Sequence, residues 1–233
     1  VLLFTSALFV LVQIRHHIGF TKMVIAFVAL LIGVSVIGAL MIHADPRWKR
    51  FSESAVVAVQ TEKSTSWITH ETPPEIPSGG PAELSAYERI AWIYEGVKLI
   101  RENPLGTGYN RNAWGDALHS KFLKQGVDYK TLPGSHSHSG IIDFTVAAGI
   151  PGLLLWVLLI GLLITTGIRA FNRGNVGPGL VLVFVVTGFF GRSLIDSNMR
   201  DHMLQQFFFL SGLLVVLANC SFQNAQRTPE VFQ

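Results

Sequence analysis

With one cysteine, Cys220, the chain has no material for an intramolecular disulfide framework or a cysteine-based zinc site. Cys220 lies in an apolar stretch and reads as a small buried hydrophobe rather than a nucleophile. Charge is also scarce. Asp, Glu, Lys and Arg make up 14% of the residues against 49% hydrophobic, well to the membrane side of an ordinary globular domain. The net charge of +3 offers no broad basic surface: Ala44–Gly140 holds 11 basic and 11 acidic residues, so the surplus comes from the remaining segments. A nucleic-acid partner is therefore not expected. An initiator methionine is missing too, and the chain opens inside an apolar run, Val1–Ile14, without the basic start and cleavage site of a signal peptide. It reads as a segment of a longer protein.

What is abundant is uninterrupted apolar sequence. Met23–Ile42 is a run of 20 residues without a charge, the length a helix needs to cross a hydrocarbon core. Phe144–Ile168 is another of 25 residues, with Gly149, Pro151 and Gly152 near its start expected to distort or delay the helix. Val176–Phe190 and Met203–Asn219 are shorter but almost wholly apolar. With Val1–Ile14 these make five expected spans and an all-α, polytopic membrane bundle. A soluble protein with four such buried helices would lack the polar surface to cover them. Arg15 and Lys22, then Arg169 and Arg173, mark the two short basic connections and put both on the cytoplasmic side. The expected organisation is 1–43, two transmembrane segments, the first truncated; 44–140, a large, partly helical periplasmic loop; 141–219, three transmembrane segments; and 220–233, a cytoplasmic tail.

Within the outer loop, Thr72–Pro81 is too rich in Pro and Gly for helix or strand and reads as a linker. Ala82–Asn103 reads as a helix stopped by Pro104, with Ile90, Ile93, Tyr94, Val97 and Ile100 at helical spacing marking a buried face. Basic residues outnumber acidic ones only after Glu88, in the half that carries the stronger patterns. One pattern is Arg89-Ile90-Ala91-Trp92 followed by Asn103-Pro104-Leu105-Gly106-Thr107-Gly108-Tyr109, whose glycines allow a tight turn and a close backbone approach. The other is Gly134-Ser135-His136-Ser137-His138-Ser139-Gly140, followed by Gly149-Ile150-Pro151-Gly152. On spacing alone the histidine pair allows a solvated loop, half of a metal site with His119, Asp116 or Asp143, or acid–base chemistry. Arg89 is open to pairing with Glu88 or Glu95, Lys98 and Arg101 read as surface charges, and Trp92 as an interface anchor.

Together these patterns resemble the O-antigen ligase family. Its motif of His, then Asn, Ser or Gln, then nine residues and Gly-x-x-Gly is matched by His138, Ser139, residues 140–148 and Gly149–Gly152. The family's Arg, nearby Trp and Pro-x-x-Gly-x-Gly-like turn are matched by Arg89, Trp92 and Pro104–Gly108. The resemblance covers the C-terminal portion of such an enzyme, and a further family arginine is expected ahead of Val1. It implies a bacterial inner-membrane glycosyltransferase, active loop facing the periplasm, that moves a glycan from undecaprenyl-pyrophosphate to lipid A–core among membrane lipids. In that scheme His138 is the general base of an inverting displacement and Arg89 holds the donor pyrophosphate. His136, Trp92, Asp196 and Arg200 then orient or bind substrate, while His202 shares their outward connection. Pyrophosphate is already a good leaving group, so no metal or other cofactor is implied. That accords with a sequence containing no Asp-x-Asp motif.

Two alternatives stand beside it. O-antigen polymerases and protein O-oligosaccharyltransferases are similar, share the donor and differ in the acceptor. A membrane transporter, from another class, would place functional charges within its spans, which here contain almost none.

Overall fold

The apolar runs are helices in the structure, a computed structural model. It describes the backbone of residues 2–124 and 136–226, and within these the side chains of all but 2–20, 23, 201 and 220–226. The elements are α1 (Leu2–Ala44), α2 (Pro46–Ala58), α3 (Ser66–Thr69), α4 (Leu84–Glu102), α5 (Ala113–Lys124), α6 (Gly140–Asn172), α7 (Val176–Ser193) and α8 (Asp201–Gln226). Four helical stretches are long and apolar enough to cross a membrane: Val24–Ala44, Gly140–Asn172, Val176–Ser193 and His202–Asn219. The fold is thus all-α and polytopic, as expected. The readings of the Cys220 side chain, of Gly134 and Ser135, and of the Val1–Ile14 side chains fall outside the described residues.

One expectation is corrected at the start of the chain. Arg15–Lys22 is not a loop, because α1 runs through it as a single helix of 43 residues. That stretch has no proline and one glycine, Gly19, so nothing in it forces the backbone out of the helix. At ~1.5 Å per residue α1 is about 65 Å long, roughly twice the thickness of a hydrocarbon core.

The chain divides into two units: residues 3–101 with 114–137, and residues 1–2 with 102–113 and 138–233. In the first, Asp45 caps α2 by accepting the Arg47 amide at 2.9 Å, and Pro46 occupies the first helical turn where its missing N–H costs nothing. Trp67, Ile68, Tyr87, Trp92, Leu99, Trp114 and Leu118 form the buried core. Thr72–Pro81, expected as a linker, is a closed turn with an isolated bridge between Glu75 and Pro81. Ile76 buries its side chain, Arg50 donates to the Pro81 carbonyl at 2.8 Å, and Ser78 bonds Glu53. Proline and glycine there shape a docked turn rather than a free tether.

α4 forms as Leu84–Glu102, within two residues of the expected Ala82–Asn103, but it buries the other face. Ala86, Tyr87, Ala91, Trp92, Glu95, Gly96 and Leu99 are buried, while Tyr94 is exposed and Ile90, Ile93, Val97 and Ile100 are half-buried. Small residues on the buried face admit close neighbours, and its one acid is held by partners. Glu95 accepts from Thr61, from Lys98 Nζ at 3.0 Å and from Lys121 Nζ at 3.3 Å. Lys98, read as a surface charge, also bonds Glu62 at 3.1 Å and lies over the Tyr94 ring. Burial pushes the Glu95 pKa up, but the bonds from Thr61 and Lys98 and the charges of Lys121 and Lys98 together bring it below the usual value.

In the second unit α6, α7 and α8 pack on one another. Trp156, Ile160, Leu182, Val186, Phe207 and Leu214 supply the core, and the Phe189 and Phe207 rings stack at 4.2 Å. Near the α6–α7 turn the backbones cross at Gly167 and Gly179, where an added Cβ on either would meet the other's carbonyl oxygen at 2.8 or 2.6 Å.

Candidate functional site

α6 is two helices joined at a break. Gly149 has φ 71 and ψ −177, a conformation essentially confined to glycine. An unbroken helix would carry bonds from Ile150 N to Val146 O and from residue 151 to Ala147 O, but residue 151 is Pro151 and has no N–H. The freed groups find partners in Pro104–Gly108. Thr107 N and Oγ1 donate to Val146 O at 2.9 and 3.1 Å, Gly108 N donates to Ala147 O at 3.1 Å, and Ile150 N donates to Pro104 O at 2.8 Å. Val146 O, Ala147 O and Ile150 N, freed by the break, are thereby satisfied, as a buried backbone requires.

This latch leaves no room for a side chain at Gly106 or Gly149. A Cβ on Gly106 would lie 2.5 Å from Ala147 O, and one on Gly149 would lie 2.4 Å from the Leu105 carbonyl carbon. A Cβ on Gly152 would meet that of Ala148 at 2.4 Å. The close approach expected of the Pro104–Gly108 turn is made to the Gly149 motif itself.

At the other end of the short half-helix is His138. Its φ of 58 lies in the left-handed region, uncommon for a residue with a side chain and a conformation that clusters at functional sites. Ser139, next in sequence, is extended and caps α6, its hydroxyl accepting the Ile142 amide at 3.5 Å and donating to Ser193 O at 3.3 Å. The motif's short polar position is thus a helix N-cap. His138 is half-buried, between the fully buried Ser137 and the buried Ser139.

The α7–α8 connection closes on the same helix start. Gly140 N donates to Asp196 O at 3.0 Å, and Ser197 Oγ donates to Asp143 Oδ2 at 2.7 Å. A Cβ on Gly140 would come within 3.0 Å of Asn198 Oδ1 and Met199 Cγ. The Asp196 carboxylate is paired with Arg192 at 2.7 Å, so what it gives this site is a backbone carbonyl. Arg200, half-buried, reaches Asn112 Oδ1 at 3.4 Å, just past the Pro104–Gly108 turn. One unit therefore brings together His138, Ser139, the latch, Asp196 and Arg200. Sequence reasoning missed Asn112, Ser197 and Asn198. Their partners lie 88, 54 and 9 residues away, so no local spacing announces them.

Arg89, Trp92 and His136 belong to the other unit. Arg89 is exposed on α4, and among the described residues it has no ion-pair partner. The carboxylates open to it are taken, Glu88 by His70 at 2.7 Å and Glu95 by the two lysines. Trp92 is no interface anchor: its indole is buried and donates to Trp67 O at 3.0 Å, with the His70 ring edge-on at 6.5 Å. His136 is half-buried. Among the described residues no three His, Cys, Asp or Glu side chains gather as metal ligands.

A family profile described as O-antigen ligase matches residues 1–157, which take in Arg89, the latch, His138 and Gly149–Gly152. A methionyl-tRNA formyltransferase from Synechococcus sp. (strain JA-2-3B'a(2-13)) is 36% identical over 81 residues, covering 33% of this chain and 25% of that protein. The chain thus spans about a quarter of the length of this curated relative.

Proposed function

Because the chain belongs to the O-antigen ligase family, a membrane family of ligase and polymerase-type glycosyltransferases, we propose that it transfers O-antigen glycan from undecaprenyl-pyrophosphate to lipid A–core. The inner membrane is its location, and residues 44–140 face the periplasm. The observation that carries this reading is the arrangement around His138. The histidine that opens the family pattern has left-handed backbone at the N-terminus of a half-helix, and the pattern's glycines form the latched break at its other end.

In the proposed mechanism His138 accepts the proton of an acceptor sugar hydroxyl as its oxygen attacks the anomeric carbon. The bond from that carbon to the pyrophosphate oxygen breaks on the opposite face, so configuration inverts and the lipid pyrophosphate leaves as an anion. Arg89 offsets the charge growing on that leaving group. The latch fixes where the His138 backbone sits, and Ser139 and the Asp196 carbonyl fix the helix start beside it.

The experiment is a deletion of the gene in its own host. Lipopolysaccharide should lose its polymeric glycan while total glycoprotein is unchanged, and the transferred linkage made by the purified enzyme should be inverted relative to the donor. Loss of glycoprotein with intact lipopolysaccharide would replace lipid A–core by protein as acceptor. Glycan attached but shortened would make the enzyme a polymerase.

A further inference from the structure

One residue, Asp45, separates the span Val24–Ala44 from α2, and α2 carries two different faces. Ser54 and Ala58 are buried in the unit, and Ser54 Oγ donates to Arg50 O and accepts the Glu83 amide. Next to this buried face lie Trp48, Phe51, Ala55 and, at the C-cap, Val59, at the i, i+3, i+7, i+11 spacing of a single helical stripe. Trp48, Phe51 and Val59 are 45%, 45% and 41% exposed, at the lower end of the 41% to 62% shown by the exposed large hydrophobics of the span just before them. The Trp48 and Phe51 rings meet edge to face at 6.0 Å and make one continuous apolar wedge.

Around this wedge the charge is mainly positive. Arg47, Lys49 and Arg50 interleave with the aromatics, and all three are exposed. The acids beside them are committed, Asp45 to capping the helix and Glu53 to Ser78. Among the described residues Arg47 and Lys49 make no ion pair.

We propose that α2 is an interfacial helix. Its Trp48–Phe51–Ala55–Val59 face lies in the headgroup and upper acyl region of the bilayer that α1 crosses, and Arg47 and Lys49 contact lipid phosphates. The occupant of this face is a phospholipid surface. Continuity with an exposed span, a tryptophan just beyond that span and flanking cations are what such a surface selects. The consequence is a second anchor for the unit that carries Arg89 and Trp92. The proposal stands whether or not the chain is a glycosyltransferase.

The test uses the full chain with Cys220→Ser in vesicles of phosphatidylethanolamine and phosphatidylglycerol. Nitroxide labels are placed singly through Trp48→Cys, Phe51→Cys, Ala55→Cys and Val59→Cys. Arg50→Cys and Glu53→Cys provide off-stripe controls, and Val28→Cys sets the value for a lipid-facing site. Collision with oxygen, which partitions into lipid, is compared with collision with a water-soluble nickel chelate. The stripe should give an oxygen-to-nickel ratio several-fold above the two controls and close to that at Val28. A stripe ratio equal to that of the controls would overturn the proposal, because the face would be in water. Low collision with both reagents would overturn it as well, because a protein surface, a second copy or another segment, would then cover the face.

Discussion

Gly149 combines φ 71 and ψ −177 with a backbone contact that leaves no room for a methyl group. Gly149→Ala therefore adds backbone strain of about 1–3 kcal/mol and pushes against the Leu105 carbonyl. Ligation by Gly149→Ala should fall on the order of a hundredfold, the cost of displacing a catalytic group by about 1 Å. Gly174→Ala is the informative comparison: its φ of 90 also strains a side chain, but a Cβ there would meet nothing within 4 Å and the residue lies outside the latch. If Gly174→Ala falls as far as Gly149→Ala, strain alone explains both and the latch contact does not matter. Arg89 differs in kind, being exposed and without an ion-pair partner among the described residues. Arg89→Ala should change stability by no more than about 0.5 kcal/mol, yet lower kcat/KM for the lipid-linked donor on the order of a hundredfold. Unchanged donor kinetics would remove Arg89 from the proposed mechanism. His138, Ser139 and the glycines were legible in the sequence because their register is local. That Ser139 is an N-cap, or that Gly106 faces Gly149, was not, since each depends on a partner elsewhere in the fold.

Among the elements, the spans were legible because an uninterrupted apolar run of the right length leaves few other structures, and Pro104 marked the end of α4. The buried face of α4 was misread for a physical reason. Isoleucine spacing advertises an apolar face, whereas the face that packs is made of Ala, Gly, two aromatics, Leu99 and Glu95 with its partners. The Arg15–Lys22 connection was misread because its charges resemble a loop while its backbone has no reason to leave the helix. Glu95 gives the element-scale prediction. Its folded pKa lies below the usual value, so its contribution to stability is present above the unfolded pKa of about 4.3 and is lost as pH falls through the folded value. For Lys98, burial acts downward, but the bonds and charges of Glu95 and Glu62 raise its pKa overall. Its contribution is thus present below about 10.4 and is lost as pH rises through the folded value. Glu95→Gln should remove the acid-side loss and cost about 3 kcal/mol at neutral pH, because it leaves Lys98 and Lys121 without their buried partner. Hydrogen exchange of the α4 amides against pH, in variant and parent, measures both effects. Equal acid sensitivity in the two would show that Glu95 does not set it.

For the whole molecule, the residues of the family pattern fall in two units, His138 and the latch in one, Arg89 and Trp92 in the other. Family membership, the helical class and the membrane character were all within reach of the sequence, since each follows from runs and spacings along the chain. The acceptor was not, because the surface that would recognise a sugar is spread over loops with no common local signature. Exposure of the Val24–Ala44 span on every side agrees with a chain made to work in lipid. The proposed role of His138 is to perform the chemistry rather than merely to shape the loop. It is tested most directly by expressing the full-length protein with His138→Ala in a host strain deleted for the gene and measuring glycan attached to lipid A–core. With membrane protein levels equal to the parent, polymeric glycan on lipopolysaccharide should be absent. Near-normal lipopolysaccharide from that variant would rule that role out.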